Sequence, residues 1–113
     1  MYSKTTLNIV TDAVVLAAKD SLGNKLDKVI LYGSYARGDF DGESDIDILI
    51  LADIPQNDEL KEYQKINRFI SRLGLEHDVL ITVNLTSSST FYKFANDLPF
   101  FVNVQREGVV LSA

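Results

Sequence analysis

Gly33-Ser34 is separated by ten residues from Asp45-Ile46-Asp47, and these are the residues whose types and spacing could do chemistry. Val29-Ile30-Leu31-Tyr32 reads as a short buried strand running into the glycine. Gly33 frees the backbone to turn sharply, and Ser34 then stands where a helix N-cap would. Backbone N–H groups left free at a helix N-terminus attract anions, phosphates above all. The next strand, Asp45 to Leu51, begins with alternation, so Asp45 and Asp47 point together while Ile46 and Ile48 point into the core. Two carboxylates held side by side repel, and an oxygen-seeking divalent cation such as Mg2+ removes that penalty. A phosphate turn beside a metal-holding pair suggests chemistry on a nucleoside triphosphate.

Each half of this constellation has a plainer explanation. Gly-Ser turns are common punctuation, and an Asp-x-Asp at a strand start is often a solvated edge. Their coincidence carries the weight, one closing a buried strand and the other opening the next.

The elements that must position these residues follow from periodicity. Residues 5–22 read as an amphipathic helix, with Leu7, Val10, Val14, Ala17, Ala18 and Leu22 at spacings of three and four, and Gly23-Asn24 as the stop. Asp39 to Gly42 is a turn between the phosphate helix and the second strand. After Pro55, Asn57 or Asp58 caps a helix to about Leu73, with Leu60, Tyr63, Ile66, Phe69, Ile70 and Leu73 as its apolar face and Gly74 as its end. Leu75 to Val83 is expected as the third strand, buried on both faces. Thr86 to Ser89 caps a further helix carrying Phe91, Phe94 and Ala95. Leu98-Pro99 opens another turn or helix, Gly108 closes it, and Val109-Val110-Leu111 forms a short last strand. Helices alternating with strands give an α/β layered domain.

Through Gly33-Ser34-Tyr35-Ala36-Arg37-Gly38-Asp39 and Ser44-Asp45-Ile46-Asp47-Ile48-Leu49-Ile50, the chain resembles the DNA polymerase β-like nucleotidyltransferase superfamily. It looks most like the minimal nucleotidyltransferases, which are often encoded beside a HEPN-domain partner. Gln105-Arg106-Glu107-Gly108-Val109-Val110-Leu111 is similar to the terminal segment of that group. The resemblance implies an α/β nucleotidyltransferase fold, a small mixed sheet flanked by helices, with residues 1–113 as one domain.

It also implies two Mg2+ ions, ATP as substrate and a third carboxylate from a neighbouring strand. Asp78 is the best candidate, an aspartate in an otherwise apolar stretch, with Glu76 on the same face as runner-up. Gly33 and Ser34 would cradle the triphosphate, and Asp45 and Asp47 would bridge the metal ions. Asp78 would complete the metal site and take the proton of the attacking hydroxyl. Arg37, one turn past Ser34, either reaches a phosphate or is a surface charge. His77 points away from Asp78 in a strand and is assigned packing, while Asp39, Asp41 and Glu43 form a solvated acidic loop.

By the same resemblance the chain moves AMP from ATP to a hydroxyl, with a tyrosine of a partner HEPN toxin as acceptor, and so acts as an antitoxin. The alternative is an antitoxin that neutralises its partner by contact alone; transfer to a small molecule is a third reading. Larger relatives carry an acceptor-binding domain, so a partner or second copy, as hetero-oligomer or homodimer, is expected to complete the site. Phe91, Tyr92, Phe94, Phe100 and Phe101 are either core or an interaction patch.

Bulk properties narrow the alternatives. At 113 residues the chain is large enough for a core but small for a complete two-substrate enzyme. Without cysteine there is no thiol nucleophile, disulfide or zinc-thiolate site, and one histidine cannot build a histidine metal centre. A net charge of −5 with no basic stripe disfavours a nucleic-acid polymer as substrate. The polar start and the lack of a long apolar run predict no secretory signal, no membrane partner and a cytoplasmic location.

Overall fold

The computed structural model describes residues 4–41 and 45–113. The polar start at Met1 to Ser3, and Gly42, Glu43 and Ser44 of the acidic loop and motif, lie outside the described residues. Helix α1 (Lys4–Leu22) leads into strand β1 (Leu26–Tyr32), the single-turn helix α2 (Ser34–Arg37) and strand β2 (Ile46–Ala52). Helix α3 (Glu59–His77), strand β3 (Ile81–Ser87), helices α4 (Ser88–Lys93) and α5 (Pro99–Glu107), and strand β4 (Val109–Ser112) follow. The strands form one mixed sheet in the order β3-β2-β1-β4, parallel only between β2 and β3.

The period-two pattern of β2 decides how the layers stack. Ile46, Ile48, Ile50 and Ala52 face α1 and α3, packing on Val10, Val14 and Ala18 of the first helix and Ile66 and Ile70 of the third. Leu49 and Leu51 face the other way, under Phe91 of α4 and Phe101 and Val104 of α5. Strand β2 is therefore covered on both sides along its length except at one end, where Asp47 is half-buried. That uncovered end is where the carboxylates lie.

Two boundaries depart from expectation, and both matter for the site. Gly74 does not end α3: the helix continues through Leu75 and Glu76 to His77. Its stop is Asp78, in the left-handed conformation (φ 52°), a region that aspartate tolerates better than most residues. Strand β3 consequently begins at Ile81, not Leu75, and His77 belongs to a helix. The chain doubles back tightly after the helix, with the Val79 N–H bonded to the Gly74 carbonyl at 2.9 Å. The aromatic segment divides: Phe91 and Phe101 are core, while Tyr92, Phe94 and Phe100 are exposed. No helix among the described residues is long and apolar enough to cross a membrane.

Leu49 is fully buried beneath the carboxylate end. Leu49→Ala should lower unfolding free energy by about 2–5 kcal/mol, the usual range for a buried leucine. Urea denaturation followed by circular dichroism measures it; a loss under about 1 kcal/mol would show that this layer is loosely packed.

Candidate active site

The turn between β1 and α2 is built by Gly33. Its backbone has φ 76° and ψ −156°, which side chains rarely permit, and it caps α2 in place of Ser34, which becomes the first helical residue. The Gly33 carbonyl accepts N–H bonds from Ala36 and Arg37, both at 3.1 Å, so the Ser34 N–H precedes the first bond of the turn. Gly38, again left-handed, ends it. Tyr35 anchors the turn by stacking on Phe40, ring centroids 4.4 Å apart.

Gly33 also explains how the two halves of the motif meet. A Cβ at this position would overlap the Asp47 carboxylate. The turn and the carboxylate are thus in van der Waals contact, a proximity that only a residue without a side chain allows. Asp47 is paired across the sheet with Tyr32 of β1 and with Thr82 of β3. Thr82 Oγ1 also lies 3.4 Å from Asp45 Oδ2, within reach to donate to it.

Electrostatics mark this end of the strand. Burial, and then the charge of Asp45, raise the Asp47 carboxyl above its ordinary value, with Arg37 partly offsetting them. Burial, reinforced by Asp47, pushes the Tyr32 hydroxyl up to about 12. Tyr32 therefore keeps its proton and presents a donor at neutral pH.

Tyr32, Gly33, Ser34, Arg37 and Asp47 line one cleft of about 290 Å3, closed on its far side by Phe100, Asn103, Val104 and Glu107 of α5. Tyr32 and Phe100 meet edge to face, centroids 5.3 Å apart. Arg37 is not a solitary surface charge: its Nε donates to Asp39 and its Nη1 to Glu107, each at 3.1 Å. The cleft wall from α5 was not among the expected site residues. The only signal for it was the Gln105–Leu111 ending, whose pairing with β1 brings α5 to the cleft.

Asp78 does not join the pair. It sits at the end of α3, before β3 begins, and Glu76 lies in the last turn of that helix. Among the described residues, no three acidic or histidine side chains come together as a metal-holding group. The strand placement that recommended Asp78 fails because α3 outruns its glycine. The position beside Asp47 on β3 belongs to Thr82, a neutral hydroxyl.

The model for the family described as nucleotidyltransferase domain matches residues 15–107. This chain belongs to that family. A Methanocaldococcus jannaschii protein named for protein adenylyltransferase activity, MJ0141, is 47% identical over 88 residues, covering 78% of this chain and 81% of that protein. Among solved structures, a toxin–antitoxin MntA-HpeT mutant superposes with a TM-score of 0.54 at 20% identity, covering 91% of this chain and 73% of that one. A toxin–antitoxin with AMP-PNP gives a TM-score of 0.50 at 21% identity, covering 90% and 73%. At these identities the two structures establish the shared fold. Within it, the nucleotidyltransferase turn and carboxylate pair of this chain sit where the sheet leaves β2 uncovered.

Gly33→Ala should both strain the turn and displace Asp47, lowering stability by about 1 kcal/mol or more. Thermal unfolding checks it; an unchanged Tm would mean that the turn relaxes away from the carboxylate. A second expectation concerns pH. Because the folded carboxyl of Asp47 holds its proton more tightly than the unfolded one, it destabilises the metal-free fold when ionised. That destabilisation grows as pH rises from the ordinary aspartate value, about 3.9, through the raised folded value. Asp47→Asn should therefore raise the metal-free Tm at pH 7, with the gain shrinking as pH falls toward 4 or so. A lower Tm at pH 7 would make the carboxylate structural.

Proposed function

We propose that this chain transfers AMP from ATP to a hydroxyl on another protein, and that the acceptor is a tyrosine of a HEPN-domain toxin that the chain restrains as an antitoxin. The contact between the Gly33 turn and Asp47 carries the reading, since it sets a phosphate cradle directly against a carboxylate pair. The relative named for protein adenylyltransferase activity supports the reaction class, and the toxin–antitoxin structures support the setting. A cytoplasmic location, where ATP and Mg2+ are both abundant, belongs to the same reading.

The residues present fit Mg2+. Asp45 and Asp47 supply oxygen ligands from one face, and Mg2+ ordinarily takes one or two carboxylates together with substrate phosphates. Bound there, the ion would offset the repulsion of the pair and the negative charge of the phosphates. Two protein carboxylates suit one ion; a second would draw its ligands from the nucleotide and water, because Asp78 stands apart.

The chain's own groups do the rest. The Ser34 amide and hydroxyl hold the phosphate tail at the Gly33 turn. Tyr32, protonated at neutral pH, offers a further donor in the same cleft. Arg37 adds positive charge near Asp47. Held in this way, the α-phosphorus is open to in-line attack. The acceptor oxygen bonds to phosphorus, the bond to the bridging oxygen breaks, pyrophosphate leaves, and the acceptor's proton is released.

One observation favours a second reading. With the third carboxylate unassembled, the chain could neutralise its partner by contact, using the cleft only to sense nucleotide.

Purified chain, Mg2+, α-labelled ATP and a candidate HEPN-domain partner should yield labelled HEPN protein. Asp45→Asn with Asp47→Asn should lower the rate by roughly 100-fold or more, as when a group that stabilises transition-state charge is lost. If that double variant still neutralises the toxin in cells and the wild type transfers no label, contact is the mechanism.

A further inference from the structure

We propose that Glu107 is a positioning residue: it holds the Arg37 guanidinium in the orientation that meets the nucleotide's phosphates. The inference rests on the nucleotide-binding reading above and extends it to a residue on α5, 70 positions away along the chain from Arg37.

The argument starts from the freedom of an arginine on a single-turn helix. Arg37 is the last residue of α2, and its side chain is 40% exposed. Left alone, such a chain samples many rotamers and would have to be ordered by each incoming ligand. Here two carboxylates take two different edges of the guanidinium. Asp39 accepts from Nε and Glu107 from Nη1, both at 3.1 Å, fixing the plane of the group. A guanidinium has five N–H donors, so these two bonds leave donors for phosphate. Arg37 lines the same cleft as Ser34 and Asp47, and its charge is felt at Asp47.

Glu107 is itself tightly placed. Arg106 Nη2 reaches its Oε1 at 3.3 Å and also donates to Asn103 Oδ1 at 2.9 Å. These contacts keep the carboxyl below its usual range, Arg37 being the main cause, so Glu107 is ionised throughout the neutral region. Gly108 follows at a crossing too close for a side chain, where a Cβ would press on the Val104 carbonyl and Ile30 Cγ2. From there the chain enters β4 and pairs with β1, the strand that leads into the phosphate turn. Glu107 and Arg37 are thus referred to the same strand from two directions. Exposed ion pairs add little to fold stability, so the consequence of this pair falls on the geometry of Arg37.

The test is a double-mutant cycle on binding of magnesium AMP-PNP to the whole chain, with Tm measured alongside. Glu107→Ala and Arg37→Ala should each raise Kd by about 5- to 10-fold, with the double variant no weaker than Arg37→Ala alone. Glu107→Gln, which still accepts a hydrogen bond, should recover much of the affinity and also serves if the alanine variant fails to fold. Wild-type affinity in Glu107→Ala would overturn the proposal, as would full additivity with Arg37→Ala. Tighter binding in Glu107→Ala and Glu107→Gln would overturn it too, showing that the carboxylate competes with phosphate. If wild type and Asp45→Asn alike fail to bind the analogue, the nucleotide reading itself falls and this inference with it; wild-type binding with an indifferent Glu107 defeats only the inference.

Discussion

Asp45 and Asp47 repel one another, and the strand that carries them is unable to turn away. Every alternate residue of β2 on the opposite face, Ile46, Ile48 and Ile50, is fully buried against α1 and α3. Rotating the strand, or slipping it by one residue, would bring the aspartates into that core and the isoleucines into water. Hydrophobic packing therefore holds the carboxylates together against their own electrostatics. The raised proton affinity of Asp47 is the trace of that conflict. A cation bound between the two carboxylates would relieve it.

The rest of the cleft is arranged around this end of β2. Strand β1 runs antiparallel to it and delivers Tyr32 and then Gly33 to the level of Asp47. The Gly33 turn is in contact with the carboxylate only because residue 33 lacks a side chain. On the other edge of β1, β4 draws α5 back over the sheet, and α5 supplies the outer wall. The Gly33 turn with Arg37, the carboxylates of β2 and the wall from α5 thus come from three segments that meet because one sheet orders them.

Replacement of an expected carboxylate by Thr82 changes the electrostatic character of the third strand. A neutral hydroxyl there donates to Asp45 where an acid would repel it. The site is accordingly less negative than a three-acid cluster, and a cation bound there would take more of its ligands from outside the protein. Leu75 and Leu80, which flank Asp78 and line a different cavity, are among the most exposed large apolar residues.

The sequence alone determined the order of helices and strands, the common face of Asp45 and Asp47, the sharp turn at Gly33-Ser34 and the closing strand after Gly108. These rest on local rules: period two in a strand, period 3.6 in a helix and the backbone freedom of glycine. Tertiary structure decided the rest. Gly74 reads as a helix stop, yet α3 runs past it and closes at Asp78, where a left-handed backbone and the bond from the Val79 N–H to the Gly74 carbonyl turn the chain. With that overrun, Asp78 lies outside β3, where it was expected, and Thr82 stands beside Asp47. The partnership of Arg37 with Glu107 was equally hidden, because nothing along the chain relates two residues until β4 pairs with β1. Local periodicity specifies which way a side chain points from its own element, but which side chains meet depends on where each element ends and on how the sheet orders them.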